Sequence, residues 1–217
     1  MSKHLERDLS QLSDRISALG ALVEDSASKA MIALKNFDLV LIDEILKTED
    51  EINKAEVEIE EECLKVMALH QPVAIDLRFL MVVLKVNNDL ERMADQLVNI
   101  AQRVQFLSDQ ERIVADHDLN KMGEISTAMV RLAIQSLVSQ NSETAKEVLA
   151  MDDELDALHA RSHKIFQGVM QENPGMVVPA CSYITISTNL ERLGDLATNI
   201  AEEIIFMIEG EVIRHRT

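Results

Sequence analysis

Glu91 and Asp95 stand four residues apart, and so do Glu191 and Asp195. On a helix that spacing stacks two carboxylates one turn apart on one face. As free ions such a pair repels by a few tenths of a kcal/mol, roughly. A hard cation reverses the sign, because carboxylate oxygens are its natural ligands. A further set lies upstream of the second pair. Asp152, Asp156, His159 and His163 follow one another at i, i+4, i+7 and i+11, a continuous stripe of two carboxylates and two imidazoles. Those donor types suit iron, manganese or zinc. Setting Ile52 over Leu155 puts Glu49 over Asp152, Asn53 over Asp156, Glu56 over His159 and Glu60 over His163. In an antiparallel bundle the stripe from Asp152 to His163 faces Glu191, Asp195, Asn199 and Glu202, so that two helices offer ligands to one ion or several.

The competing reading is that acids at helical spacing are a solvated face, common on a chain with net charge -17. On that reading His159 and His163 are ordinary surface residues, and Arg92 and Arg192 pair with neighbouring acids to little effect. Recurrence of the acid pair in both halves favours a site.

The elements that must position these residues are long helices. From Leu5 the apolar positions run Leu9, Leu12, Ile16, Leu19, Val23, Ser26, Ala30, Ala33, Phe37, in steps of three and four with only Ser26 polar. This is the seam of a bundle helix. Asn36-Phe37-Asp38 predicts a turn with Asp38 as the next N-cap. A second helix runs through Leu39, Ile42, Ile45, Leu46, Ile52, Ile59, Leu64 and Met67, and stops at His70-Gln71-Pro72. A third begins near Pro72 and carries Val83, Val86, Leu90, Met93, Leu97, Ile100, Val104 and Leu107. Ser108 to Arg112 is a polar hinge. The order then repeats: a fourth helix from about Asp118 to Ser139, a fifth ending before Asn173-Pro174-Gly175, and a sixth closing at Gly210, a C-cap.

The repeat extends to individual residues. Asn88 to Ala101 laid over Thr188 to Ala201 gives seven identities in 14 positions. The shared Glu, Arg, Asp and Asn are not explained by helix chemistry alone. The chain is therefore read as all-α, an internal duplication with units 1–108 and 113–217, each a three-helix bundle.

Composition supports this and removes alternatives. Aromatics are 3% of the chain, and Gly and Pro number only 6 and 3, so segments are long and turns few. With 38 acidic against 21 basic residues, direct binding to nucleic acid or anionic lipid is disfavoured. Cys63 and Cys181 have no partner spacing and read as reduced, mostly buried packing residues of a cytoplasmic protein. The N-terminus lacks a signal-peptide core, and no apolar run reaches membrane-spanning length. No phosphate loop, nucleophile elbow or HExxH is present. Only Asp156-Ala-Leu-His159 approaches the Glu-x-x-His of di-metal oxidases, once, so catalysis is not expected.

The two runs Leu90 to Asp95 and Leu190 to Asp195, each followed four residues later by Asn-Ile-Ala, resemble the signature of the PhoU family. So does Gln71 to Arg78, entering the third helix. The resemblance implies two tandem antiparallel three-helix bundles related by a pseudo-twofold axis. It implies surface sites for iron or zinc, singly or as multinuclear clusters, with manganese or magnesium as further candidates. Carried over by motif, the ligands are Glu91 with Asp95, Glu191 with Asp195 and Asp152 with Asp156. Glu49 and His159 complete the candidate set. Asn53 departs from the pattern, since an amide offers one neutral oxygen where the repeat has the Asp156 carboxylate; the second-half site is expected to bind more tightly. The resemblance further implies a regulator that restrains phosphate uptake when phosphate is plentiful. Its expected partners are the ATPase of the Pst phosphate transporter and the PhoR sensor kinase of the PhoR–PhoB system. A homodimer is expected, reaching the membrane only through partners. The alternatives are a metal-storage protein or metal-dependent enzyme, and a helical scaffold that binds nothing.

Overall fold

The computed structural model describes residues 3–113 and 118–210. The first two residues, the stretch 114–117 and the expected end of the second unit at 217 lie outside them. Six helices follow in order: α1 Lys3–Asn36, α2 Leu39–His70, α3 Ile75–Leu107, α4 Leu119–Ser139, α5 Ser142–Glu172 and α6 Val177–Glu209, with a 3-10 turn at Pro174–Met176 before α6. No strand occurs among the described residues.

Helix boundaries follow side-chain chemistry. Asp38 caps α2, its Oδ1 accepting from the amides of Val40 at 2.9 Å and Leu41 at 3.3 Å. Asn141 does the same for α5 through the amides of Glu143 and Thr144. Helices α2, α4 and α6 end in left-handed residues, Gln71, Gln140 and Gly210, which turn the chain and satisfy the last carbonyls. The third helix starts later than expected. Ala74 holds φ 50 and ψ -110, outside the helical region, so Pro72 belongs to the turn and Ile75 is the first helical residue. Asp118 sits at the start of α4 without capping it; its carboxylate is taken by the Arg161 guanidinium of α5 instead.

Helices α1, α2 and α3 form one bundle and α4, α5 and α6 the other, joined where α3 packs on α6 and α1 on α4. The expected seams of α1 and α3 are buried, Leu12, Ile16, Leu90, Met93 and Leu97 completely. In α2 the seam differs. Leu39 and Leu64 are exposed, and Cys63 and Val66 fill the core in their place. Leu64 is one residue past Cys63 and so about 100° around the helix from the core-facing position. Cys181 is exposed, correcting the expectation for that thiol, while burial pushes the Cys63 thiol up to about 12. Ser26 is buried with its hydroxyl unpartnered among the described residues.

Residues 81–89 of α3 line a cleft with 199–203 of α6, and 103–106 of α3 line another with 177–185 of α6, so the two helices run antiparallel. A shift of 100 residues exchanges the two clefts, which is the pseudo-twofold relation between the halves. Lys85 of α3 holds Glu203 of α6 at 3.1 Å across this junction. Arg78 lies over the Phe206 ring at 5.5 Å and donates to the Met207 carbonyl at 3.4 Å, fixing the start of α3 to the end of α6.

Two candidate metal centres

Buried Leu90 and Met93 turn Glu91 and Asp95 to the edge of the α3 seam, and Leu190 and Leu193 do the same for Glu191 and Asp195 on α6. The neighbouring helix of each bundle brings the other acids alongside. In the second half Asp152, on α5, is pushed up to about 6 by burial, then by Asp156 and by Asp195 across the helix pair. Burial and Asp156 likewise raise Asp195, and burial with Asp195 and Asp156 raises Glu191. Four carboxylates from two helices thus share one low-dielectric patch, each opposing ionisation of another.

His159 and His163 continue the α5 stripe, with ring centroids 4.4 Å apart. Burial and the His163 ring hold His159 below the ordinary imidazole value. His159 Nδ1 lies 2.9 Å from the Ser187 hydroxyl, which itself reaches the Met122 sulfur at 3.5 Å. In the arrangement that uses both contacts, Ser187 donates to the sulfur and accepts from Nδ1–H. That leaves Nε2 with a lone pair, the orientation a metal-ligating histidine needs.

The first half holds a poorer copy. Burial, then Asp95, Glu56 and Glu49 raise Glu91, and burial with Glu60 raises Glu56. Here Asn87 of α3 donates to the Glu56 carbonyl at 2.9 Å. Asn87 and Ser187 are equivalent under the repeat, so each cluster has one α3 or α6 polar residue fastening it to α2 or α5. Sequence reasoning missed both, although extending the aligned repeat one residue upstream of Asn88 brings them together.

The donor chemistry fits a cation. Asn53 Oδ1 and His163 Nε2 are buried with no hydrogen-bond partner among the described residues. Both stand at stripe positions, and a cation would satisfy the amide oxygen as it is and the imidazole in its Nδ1–H tautomer. The side chains are not closed around a point, however. Among the described residues no group of three or more His, Cys, Asp or Glu is placed to hold a metal ion. The expected stripe on α6 also divides. Asp195 meets α5 and also borders the cleft shared with α3 that Asn199 lines, while Glu202 lines a second such cleft.

A PhoU domain model matches the chain twice, over residues 16–104 and 119–204. The phosphate-specific transport system accessory protein PhoU homolog of Aquifex aeolicus is 32% identical over 212 residues, 98% of this chain and 96% of that protein. The homolog of Zymomonas mobilis is 33% identical over 215 residues, 99% and 91% of the two chains. The crystal structure of PhoU from Pseudomonas aeruginosa superposes with a TM-score of 0.92 at 28% identity, covering 95% of this chain and 99% of its own. The phosphate transport system regulatory protein PhoU from Streptococcus pneumoniae gives 0.87 at 28% identity, covering 96% and 99%. With both halves matched and relatives aligned nearly end to end, this chain belongs to the PhoU family.

Proposed function

We propose that this chain is a non-catalytic regulatory adaptor of phosphate uptake. It works in the cytoplasm beside the ATPase of a Pst-type phosphate transporter and a PhoR-type sensor kinase. When phosphate is plentiful it restrains the transporter and keeps the kinase from driving the PhoB response. The observation that carries this reading is the end-to-end match to proteins named as accessory to phosphate-specific transport. No helix among the described residues is long and apolar enough to cross a membrane. Contact with an embedded transporter is therefore assigned to partners.

The carboxylate clusters give the adaptor its chemistry. Glu191, Asp195, Asp152 and Asp156, with His159, would hold iron or zinc in the second half, and Glu91, Asp95 and Glu49 would hold a more weakly bound ion in the first. Bound metal supplies fixed positive charge at a surface that otherwise repels itself. The protein's part is to fix the spacing of the acids, to orient His159 through Ser187, and to present a defined charge pattern to a partner.

The test is alkaline phosphatase activity in phosphate-rich medium, compared between a strain deleted for this gene and its complemented parent. High activity that the intact gene silences is the expected result. Equal low activity in both strains would contradict the reading.

A further inference from the structure

At the pseudo-twofold axis, where α3 crosses α6, the duplicated Leu-Glu-Arg run places the same residue type on both helices. Arg92 and Arg192 open onto one notch of about 450 Å³, lined also by Gln96, Asp195, Leu196 and Asn199. Among the described residues the Arg92 guanidinium makes one polar contact, 3.3 Å with Asp89, and its side chain is 55% exposed. One contact uses one of the five N–H donors a guanidinium carries. Arg192 is exposed, and its field is felt by Glu191 and Asp195. The notch also offers acceptors. Asp195 is a carboxylate, and Gln96 Oε1 is buried with no hydrogen-bond partner among the described residues, its amide nitrogen donating to the Arg92 carbonyl at 3.3 Å.

Two arginines lining one cavity suit an oxyanion, since planar forks of N–H donors match tetrahedral oxygens in pairs. A carboxylate in the same wall repels an anion that has shed every proton. It accepts a hydrogen bond from one that has kept a proton. We propose that the notch binds a protonated tetrahedral oxyanion, held by Arg92 and Arg192, with Asp195 and Gln96 accepting from its O–H. Inorganic phosphate keeps at least one proton near neutral pH and sulfate keeps none. A phosphate monoester, with its second pKa near about 6, is largely unprotonated there. The wall therefore selects free phosphate over both. This goes beyond the adaptor reading and does not depend on metal: it makes the chain itself a receptor for the ion.

The experiment is equilibrium dialysis of radiolabelled inorganic phosphate against the chelator-treated full chain at pH 7. Sulfate and phenyl phosphate serve as competitors. One saturable site per chain is expected. Arg92→Gln and Arg192→Gln each weaken it by about tenfold or more, the value of losing a charge-assisted hydrogen bond. The double variant loses it, and the two Arg→Lys variants retain intermediate affinity. Asp195→Asn lets sulfate compete. Uptake that does not saturate, or a double variant that binds like the wild type, would overturn the proposal. So would phenyl phosphate or sulfate displacing the label from the wild type as well as phosphate does.

Discussion

Neutralising one acid of the second-half cluster, Asp152→Asn, is expected to stabilise the metal-free protein at neutral pH. The Asp152 carboxyl moves from an ordinary 3.8 to about 6 on folding, first through burial and then through Asp156 and Asp195. Because its folded value is raised, its contribution to stability is fully present below about pH 4 and is lost as pH climbs through about 6. A tenfold change in an acid constant is worth about 1.4 kcal/mol, which puts the ionised carboxylate at an upper bound near 3 kcal/mol unfavourable at pH 7.5. The group is only half-buried, and solvent screening reduces this to roughly 1–1.5 kcal/mol. For a chain of this size that is a rise of about 2–6 °C in Tm. Urea melts of wild type and Asp152→Asn in chelator, from pH 4 to 8, would read it directly. The gain should be full above about pH 6.5 and absent at pH 4. Added zinc should reverse the order, because the variant has lost a ligand. A gain that ignores pH, or a loss of stability at pH 7.5 in chelator, would refute the reasoning.

Iron titrated into Asp195→Ala and Asp95→Ala should show the larger loss in Asp195→Ala, since its half has Asp156 where the first has Asn53; a larger loss in Asp95→Ala would reverse the ranking of the sites. Lys85→Ala removes the 3.1 Å ion pair to Glu203, which is only 2% exposed, and should lower stability by roughly 1–3 kcal/mol in a denaturant melt. Gly194→Ala drives a new Cβ into Leu155 Cδ2 and should cost about 1–3 kcal/mol by the same assay. Asp38→Ala removes the cap of α2 and should cost about 1 kcal/mol, measurable as a shift in urea midpoint.

Most of the fold was legible because it rests on short-range rules. Steps of three and four from Leu5 to Ala33, the Asp38 cap and the stop before Pro72 each specify helix or turn without tertiary knowledge. The α2 seam was less legible, because Leu64 and Cys63 are adjacent and only the packing of α1 and α3 decides which one faces inward. The pairing of the acid stripes could be read from the repeat, and the structure does place Asp152, Asp156, Asp195 and Glu191 in one electrostatic patch. Helix period did not reveal how α6 divides its faces between α5 and α3, so Asn199 and Glu202, which line clefts shared with α3, were placed on the α5 side. Glu203 was invisible for a similar reason: a buried glutamate needs a compensating partner, and Lys85, which reaches it, is more than 100 residues away in sequence.

The paired carboxylates are tested by calorimetric titration of zinc into the metal-free full chain and into a variant carrying Glu91→Gln, Asp95→Asn, Glu191→Gln and Asp195→Asn. Saturable binding by the wild type is expected, the second-half site filling first, with loss of that binding in the variant. Identical isotherms for the two proteins would contradict the assignment of the paired carboxylates as metal centres.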